Sequence, residues 1–217
     1  GVMNNKGIEL SADADVIRTK DFTWNVSANV SYNQNRLKEL YNGVTEYVNS
    51  TTGLKYVVGH SVSEFFLNRY AGVNPANGEQ LWYDKNGNVT NEFRESDKVM
   101  TGKTYDAPWM GGFGTSFRWK GLQLSAQFSW IGTRYVINND RYFEEGGVTF
   151  GTAYNQSRRV LYNRWKNPGD ITDIPKWGEV NQLDDRYLEN ASFLRLKNLS
   201  LSYSLPQAWL SKTKFFT

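Results

Sequence analysis

The residues that most often carry out chemistry in proteins are scarce in this sequence. Its 217 residues include no cysteine, and His60 is the only histidine. Disulfides, thiolate catalysis and cysteine metal sites are therefore excluded. A catalytic or metal-binding histidine needs an orienting group and further ligands, and no second histidine or cysteine can supply them. We therefore predict a structural or surface role for His60, no enzyme activity, and no metal or cofactor.

Two pairs of neighbouring carboxylates raise the question of glycoside hydrolysis. Glu144 is followed by Glu145, and Asp184 by Asp185. In an extended chain adjacent side chains diverge, so neither pair is placed to flank one glycosidic bond. We interpret both pairs as solvated loop charge. Calcium bound by loop carboxylates remains an open alternative, with Asp170, Asp173, Asp184 and Asp185 as candidate ligands.

Segment 84–88 resembles a calcium-binding loop only superficially. Gly87 comes too early for the EF-hand spacing, and no glutamate closes the loop. Asn86 and Gly87 lie between apolar residues, and this dipeptide is typical of a type I′ hairpin turn. We predict such a turn here.

Aromatic residues make up 15% of the chain, including 8 tryptophans. Many lie in two long segments, about 33–108 and 132–190, which we predict to be loops. Exposed rings in such loops can stack on sugars or anchor a partner protein. They can equally form the small cores that keep long loops ordered. The candidates for substrate or partner binding are Trp82, Tyr83, Trp109, Tyr135, Trp165 and Trp177.

Outside these loops, apolar and polar residues alternate. The pattern covers segments 8–32, 113–130 and 193–205. A period of two residues places the apolar set and the polar set on opposite faces of a strand. Breaks at 19–21 and 120–121 predict tight antiparallel turns. The last strand begins out of phase with its end, which predicts a β-bulge or a rim segment.

The predicted strands match the nine to eleven residues or so that a tilted strand needs to cross a bilayer. Short turns alternate with very long loops. Bacterial outer-membrane barrels have this arrangement, with short turns on one side of the membrane and long loops on the other. We therefore predict an all-β fold, with antiparallel strands forming part of a transmembrane β-barrel with long extracellular loops. Aromatic residues near the strand ends are the expected membrane-interface girdles. They are Phe22, Trp24, Tyr32, Trp119 and Trp130.

The composition is consistent with this fold class. The mean hydropathy is −0.61, which is low for a chain with a large core. The 25 basic and 22 acidic residues are interspersed, which disfavours nucleic-acid binding. No helical apolar stripe is convincing, apart from a possible turn near 207–210. A soluble β-sandwich that binds carbohydrate stays open as an alternative, because it also buries one face of each strand. A barrel without transport activity, such as an adhesin or porin, is a third possibility.

Several short motifs follow one another along the chain. They are Asn5-Lys6-Gly7-Ile8-Glu9 with Asp21-Phe22-Thr23-Trp24, then Gly72-Val73-Asn74-Pro75, Trp119-Lys120-Gly121-Leu122, Arg164-Trp165-Lys166-Asn167-Pro168 and Ser192-Phe193-Leu194-Arg195-Leu196-Lys197-Asn198. In this order they resemble the C-terminal region of SusC/RagA-type TonB-dependent transporters of Bacteroidota.

The resemblance implies a large barrel in the outer membrane of a Gram-negative bacterium, occluded by an N-terminal plug. A SusD-like surface lipoprotein would cover it as a lid, and TonB would contact an N-terminal box. Such transporters import glycans or peptides. Because neither plug nor box lies in residues 1–217, we expect a partial barrel wall cut from a longer chain. The expected partners are the lipoprotein, TonB, the lipid bilayer and the cargo.

Overall fold

The alternating segments form the long strands of one antiparallel sheet. The computed structural model describes residues 1–48, 54–146 and 155–210. The sheet contains β1 (Val2–Arg18), β2 (Phe22–Glu39), β10 (Trp109–Trp119), β11 (Leu122–Gly132) and β14 (Phe193–Tyr203). They lie in the order β1-β2-β10-β11-β14, so β1 and β14 form its two edges.

Strand pairing confirms the predicted faces. Phe113 of β10 lies opposite Ala28 of β2 and opposite Phe128 of β11, so apolar residues line up across the sheet. One position on, Gly114 lies opposite Ser27 and Gln127 on the polar face. A shift of one residue would exchange the two faces, so the alternation fixes this register.

The β10–β11 turn consists of Lys120 and Gly121, as predicted. Both have positive φ, 46° and 88°, which is the backbone of a type I′ turn. Glycine at the second position is also required by space, because a Cβ on Gly121 would lie 2.9 Å from the Ser204 carbonyl oxygen. This turn and the break at 19–21 close the sheet at one end.

The predicted bulge is present in β14. Asn198 pairs with Gln127 and Leu196 with Phe128, so Lys197 is the extra residue. The bulge returns Leu194 and Leu196 to the apolar face despite their altered phase. Sequence and structure therefore agree on why the strand changes parity.

Shorter strands occupy the two long connections. They are β3 (Glu46–Val48), β4 (Lys55–Val57), β5 (Glu64–Leu67), β6 (Arg69–Val73), β7 (Gln80–Tyr83), β8 (Val89–Thr90), β9 (Val99–Thr104), β12 (Tyr135–Ile137) and β13 (Leu188–Asn190). They form the pairs β3-β4, β5-β9 and β12-β13 and the three-stranded sheet β6-β7-β8. Three 3-10 turns are also described, at Tyr41–Gly43, Glu95–Asp97 and Asp185–Tyr187.

Two short helices in the second connection were not predicted. They are α1 (Asn139–Glu145) and α2 (Arg158–Asn163), and the turn expected near 207–210 is α3 (Gln207–Leu210). The side chain of Asn138 caps α1 by accepting the Arg141 N–H. Helices this short depend on caps and packing, and leave no apolar stripe in the sequence. Among the described residues, no helix has both the length and the apolar character that a membrane span demands.

The hairpin between β7 and β8 was predicted correctly, but its turn type was not. Asn86 lacks the positive φ that a type I′ turn requires, and of the loop residues only Gly87 has one, at 89°. The Asp84 side chain instead accepts the N–H groups of Asn86 and Asn88, both at 2.8 Å. This side-chain cap stabilises a five-residue loop in place of the two-residue turn.

The chain divides into two compact units, which we call the sheet unit and the loop unit. The sheet unit comprises Asn4–Asn35, Ala107–Arg134 and Ser192–Thr217, and the loop unit comprises Gly1–Met3, Arg36–Asp106 and Tyr135–Ala191. Within the described ranges, every fully buried side chain belongs to the loop unit. Its apolar core contains Leu37, Leu67, Val73, Trp82, Val160, Ile174, Tyr187 and Leu188.

Candidate functional site

The polar face of the sheet unit carries a shallow hollow of about 480 Å³. Its floor is bare backbone at Gly112 and Gly114 of β10. A Cβ on Gly114 would lie 2.9 Å from the Ser27 Oγ, and one on Gly112 would lie 3.0 Å from the Phe128 carbonyl oxygen. The hollow therefore exists because these positions are glycine. Its polar lining residues are Ser11, Asp13, Ser27, Asn29, Gln127 and Lys197.

Charge on this face changes sign from one edge of the sheet to the other. Strand β1 contributes Asp13 and Asp15, and the Asn25 amide donates to both carboxylates at 3.1 Å. The opposite edge strand, β14, contributes Arg195 and the bulged Lys197. Hydroxyl and amide side chains lie between them, together with Arg118 near one end of β10. Such a surface offers hydrogen bonds to a polar molecule and opposite charges at its two edges.

The other face of the sheet unit is apolar and exposed. Leu194, Leu199 and Leu201 of β14 are 64%, 63% and 69% exposed. The hydroxyl of Thr115 is on this face and accepts the indole N–H of Trp24 at 2.9 Å. A continuous apolar face of this kind is not stable in water and needs an apolar environment.

The five predicted interface aromatics fall into two groups. Tyr32 and Trp130 lie towards one end of the strands, and the tilted ring of Trp109 contacts that of Tyr32 with centroids 4.6 Å apart. At the other end, Trp24 stacks on Phe117 at 5.7 Å. Phe22 and Trp119 are opposite each other in that second group.

The six predicted loop aromatics have different surroundings. Trp109 begins β10 and so belongs to the sheet unit. Trp82 is only 4% exposed, and its indole N–H donates to Asp184 at 2.8 Å. Trp165 donates to the Pro75 carbonyl at 3.0 Å and lies over Gly78, where a Cβ would come within 2.5 Å of its ring. Both rings are held by contacts within the loop unit.

The remaining three loop aromatics each lie beneath a cation. Arg69 is 5.4 Å from the Tyr83 ring centroid, and Lys103 is 5.2 Å from that of Tyr135. Trp177 is 60% exposed and lies 4.5 Å from the Arg164 guanidinium. Of the six, Trp177 is the most exposed.

A buried polar cluster connects the two long segments of the loop unit, Arg36–Asp106 and Tyr135–Ala191. Asp184 is completely buried and accepts the Arg186 Nε at 3.0 Å as well as the Trp82 indole. Arg186 also donates to the Gln80 side chain at 2.7 Å and covers the Tyr70 ring at 4.1 Å. We call these five residues the buried node. Because its members are about a hundred positions apart, the node joins β6 and β7 to segment 181–187.

Burial is the largest influence on the pKa values of the carboxyl and tyrosine groups in and beside this node. It raises the pKa of Asp184, a shift that the Arg186 guanidinium and the Trp82 hydrogen bond oppose. It also raises the pKa of the neighbouring Tyr187 hydroxyl to about 12. The pKa of Tyr70 is raised for the same reason. The tyrosines therefore stay neutral hydrogen-bonding groups at ordinary pH.

The paired carboxylates do not act as pairs. Asp184 belongs to the buried node, whereas Asp185 accepts the Tyr70 backbone N–H at 2.7 Å. Glu145 is buried between Arg141 and Arg159, at 3.3 and 2.6 Å. Glu145, Asp184 and Asp185 are thus each bound by cations or N–H donors. The interpretation as solvated loop charge is therefore wrong for the buried Glu145 and Asp184, whereas Glu144 is exposed. Among the described residues, no group of three or more acidic or histidine side chains could hold a metal ion.

His60 is bonded to an acidic side chain. Its Nδ1 lies 2.8 Å from the Glu64 carboxylate, whose other oxygen accepts the Gly102 N–H at 2.8 Å. The sequence did not indicate this pair, nor the buried node, nor the Arg164 contact with Trp177. All of them depend on contacts between residues that no short motif brings together.

Comparison with known proteins shows that the chain is similar to TonB-dependent receptors. No protein-family model matches the chain. The TonB-dependent receptor SusC of Bacteroides thetaiotaomicron is 29% identical over 98% of this chain and 22% of its own length. The TonB-dependent receptor P3 of Formosa agariphila is 26% identical, over 98% of this chain and 23% of its own.

Solved structures agree. The RagAB peptide transporter superposes with a TM-score of 0.87 at 37% identity, covering 97% of this chain and 24% of the matched one. The RagAB peptide importer in its open-open state gives a TM-score of 0.88 at 36% identity, covering 98% and 23%. The chain thus spans about a quarter of the length of the relatives it matches.

These findings confirm the predicted resemblance, the barrel fold class and the outer-membrane location. They favour the barrel over the β-sandwich alternative. The matched relatives are receptors and transporters, which agrees with the prediction of a non-enzyme.

Proposed function

We propose that this chain, a barrel segment of the SusC/RagA-type TonB-dependent transporters, forms wall and extracellular loops of an outer-membrane importer. The importer takes up glycans or peptides and works with a SusD-like surface lipoprotein as its lid. Residues 1–217 belong to one partial barrel, with loops at about 33–108 and 132–190. TonB acts on an N-terminal region that is not among these residues. The observation that carries the proposal is a sheet of long strands with one apolar exposed face and one polar face.

The aromatic groups support a membrane-spanning orientation. Phe22 and Tyr32 are ten positions apart on β2, which corresponds to about 33 Å along a strand at about 3.3 Å per residue. At a tilt of about 40°, that length covers roughly 25 Å of membrane thickness, as in known outer-membrane barrels. We therefore assign Phe22, Trp24 and Trp119 to one membrane interface and Tyr32, Trp109 and Trp130 to the other.

The polar face then lines the lumen. Its hydroxyl and amide groups, together with the charges of β1 and β14, suit a polar cargo better than an apolar one. The hollow over Gly112 and Gly114 lets another surface approach the backbone closely. Among the loop aromatics, we propose Tyr83, Tyr135, Trp165 and Trp177 as contacts for cargo or lid. Trp82 is left out because it is buried.

Labelling tests the orientation of the wall. This segment contains no cysteine, so Leu199→Cys and Ser200→Cys can be compared in the complete transporter in lipid vesicles. We expect a water-soluble maleimide to label Cys at position 200 and a lipid-soluble one to label position 199. Equal labelling of both positions by the water-soluble reagent would contradict a lipid-facing wall.

Uptake tests the transport itself. Cells carrying the complete transporter are given fluorescent oligosaccharides or oligopeptides, with the lid lipoprotein or TonB deleted in turn. We expect one cargo class to enter and its entry to stop in both deletions. Uptake of neither class, or uptake that needs neither partner, would overturn the importer function.

A further inference from the structure

Arg164 of the loop unit carries a partly buried guanidinium that has no carboxylate partner among the described residues. Arg164 follows the last residue of α2, and its Nε is buried without a hydrogen-bond partner. Burial lowers the pKa of this guanidinium, and no neighbouring carboxylate offsets that effect. A buried guanidinium N–H that has lost water and gained no acceptor is costly unless something else supplies the acceptor.

Two cations near Arg164 are each paired with carboxylates. Arg159 bonds Glu145 at 2.6 Å. Lys176 lies 3.6 Å from Glu179 and 3.7 Å from Glu79. Glu145 and Glu179 line the same small hollow as Arg164, yet both carboxylates are engaged by these other cations. The acids near Arg164 are therefore committed elsewhere.

Trp177 holds the Arg164 guanidinium in place. The ring centroid is 4.5 Å from the guanidinium carbon, within the range of a cation–π contact. The ring itself is 60% exposed, so part of its surface remains open to a ligand. Gly178, at φ 100°, turns the chain directly after it. The pair presents a planar cation and an apolar surface side by side.

The surrounding backbone is fixed, so the pair is a preformed surface. Arg164 forms a parallel bridge with Ile174, and the Trp165 N–H donates to the Ile174 carbonyl at 3.0 Å. The Lys176 N–H donates to the Gly78 carbonyl at 2.9 Å, which holds the segment leading to Trp177. A preformed site loses less conformational entropy on binding.

We propose that Arg164 and Trp177 form a binding site for a carboxylate-bearing ligand. The guanidinium takes the carboxylate in a two-point hydrogen bond, and the indole covers the apolar atoms next to it. The carboxylate can come from the free end of a peptide or from an acidic sugar, since both present this group beside an apolar surface. The proposal rests on the importer function, because it gives that importer a preference for cargo with a carboxylate.

Matched probes test the site in the complete wild-type transporter in detergent. The peptide pair is N-acetylated pentaalanine with a free C-terminal carboxylate and the same peptide as its amide. The sugar pair is a tetragalacturonate and its methyl ester. We expect one carboxylate probe to bind about ten-fold or more tightly than its neutral twin in calorimetry. The pair that discriminates identifies the source.

Variants test whether Arg164 is responsible for the preference for carboxylate probes. We expect Arg164→Gln to abolish the preference and Arg164→Lys to keep only part of it, because an ammonium lacks the two-point geometry. Arg158→Gln is the control, since Arg158 lies on the exposed Tyr162 in the same segment at 5.8 Å. It should leave the preference unchanged. Thermal unfolding of each variant checks that the loop unit stays folded.

Three outcomes would overturn the site. They are no binding of any probe, equal binding within both pairs in the wild type, or a preference that survives Arg164→Gln. Uptake of neutral cargo shows whether only the carboxylate site is wrong or the importer function is wrong as well. If neutral cargo still enters the cell while the carboxylate preference is absent, the site is wrong and the importer stands.

Discussion

In the sheet unit apolar side chains remain exposed, whereas in the loop unit polar side chains are buried. Leu199 and Leu201 are 63% and 69% exposed, but Asn68 and Asp184 are completely buried. The long strands satisfy one another's backbone groups and leave one face for lipid. The loop unit instead builds its own core around a polar node. The two units therefore depend on different interactions, and different changes should damage each of them.

The largest expected effect is on the buried node. Asp184→Ala leaves the Arg186 guanidinium buried without its counter-charge and the Trp82 N–H without an acceptor. Removing one partner of a buried ion pair costs about 3–5 kcal/mol. In hydrogen exchange on the complete transporter, we expect protection to fall in β6, β7 and β13. Protection in β10 and β11 should not change.

An exposed ion pair provides the control for that experiment. Glu92 bonds Arg94 on the surface of the same unit, with both side chains more than half exposed. Glu92→Ala should leave the exchange pattern unchanged, because exposed pairs contribute little. Comparable loss of protection in the two variants, or loss that extends into β10, would show that the node is not what holds the loop unit together.

The next largest effect is on the lipid-facing surface. Leu199 lies near the middle of the apolar face, where an arginine in an outer-membrane barrel costs about 2–4 kcal/mol. We expect Leu199→Arg to lower the free energy of unfolding in lipid vesicles by that amount. Ser200→Arg places the same side chain on the polar face and should have a much smaller effect. If Ser200→Arg costs as much as Leu199→Arg, the assignment of the two faces is reversed or wrong.

The comparison also explains what the sequence reveals. The sheet unit depends on a two-residue period and on short turns, and both are visible in single segments. Even the bulge at Lys197 could be predicted, because it shifts the parity of Leu194 and Leu196 relative to Leu199. The alternation carries this information because each side chain of a strand points to one of the two faces of the sheet.

The loop unit could not be predicted in this way. Asp184 bonds Trp82 across 102 positions of sequence, and no local pattern signals such a contact. The Asn86-Gly87 turn was assigned the wrong type because the Asp84 side chain competes for the backbone N–H groups. Arg164 and Trp177 share an aromatic-rich segment, but only the structure shows that the arginine lacks a counter-charge. Networks of side chains between irregular segments appear in the sequence only as an unusual composition. That composition does not say which residues are in contact.

The smallest expected effect is a difference between the units in acid. The Arg141 side chain, followed by that of Asn138, holds the pKa of Glu189 below its usual range. The backbone N–H groups of Asn167 and Lys166 do the same for Asp170. A carboxylate with a depressed pKa stabilises the fold above its unfolded value, and that contribution is lost as pH falls through the folded pKa. Asp184 acts in the opposite sense, because burial raises its pKa.

We therefore expect the loop unit to loosen as the pH falls below about 4, near the ordinary values for aspartate and glutamate. The ladder of β10 and β11 is made of backbone groups that do not titrate, so it should keep its protection. Hydrogen exchange corrected for the intrinsic rate at each pH measures the difference. Glu189→Gln is the matched variant, because it removes one titrating group while preserving an acceptor for Arg141. If the wild type and this variant respond identically to acid, Glu189 is not one of the groups whose protonation loosens the loop unit.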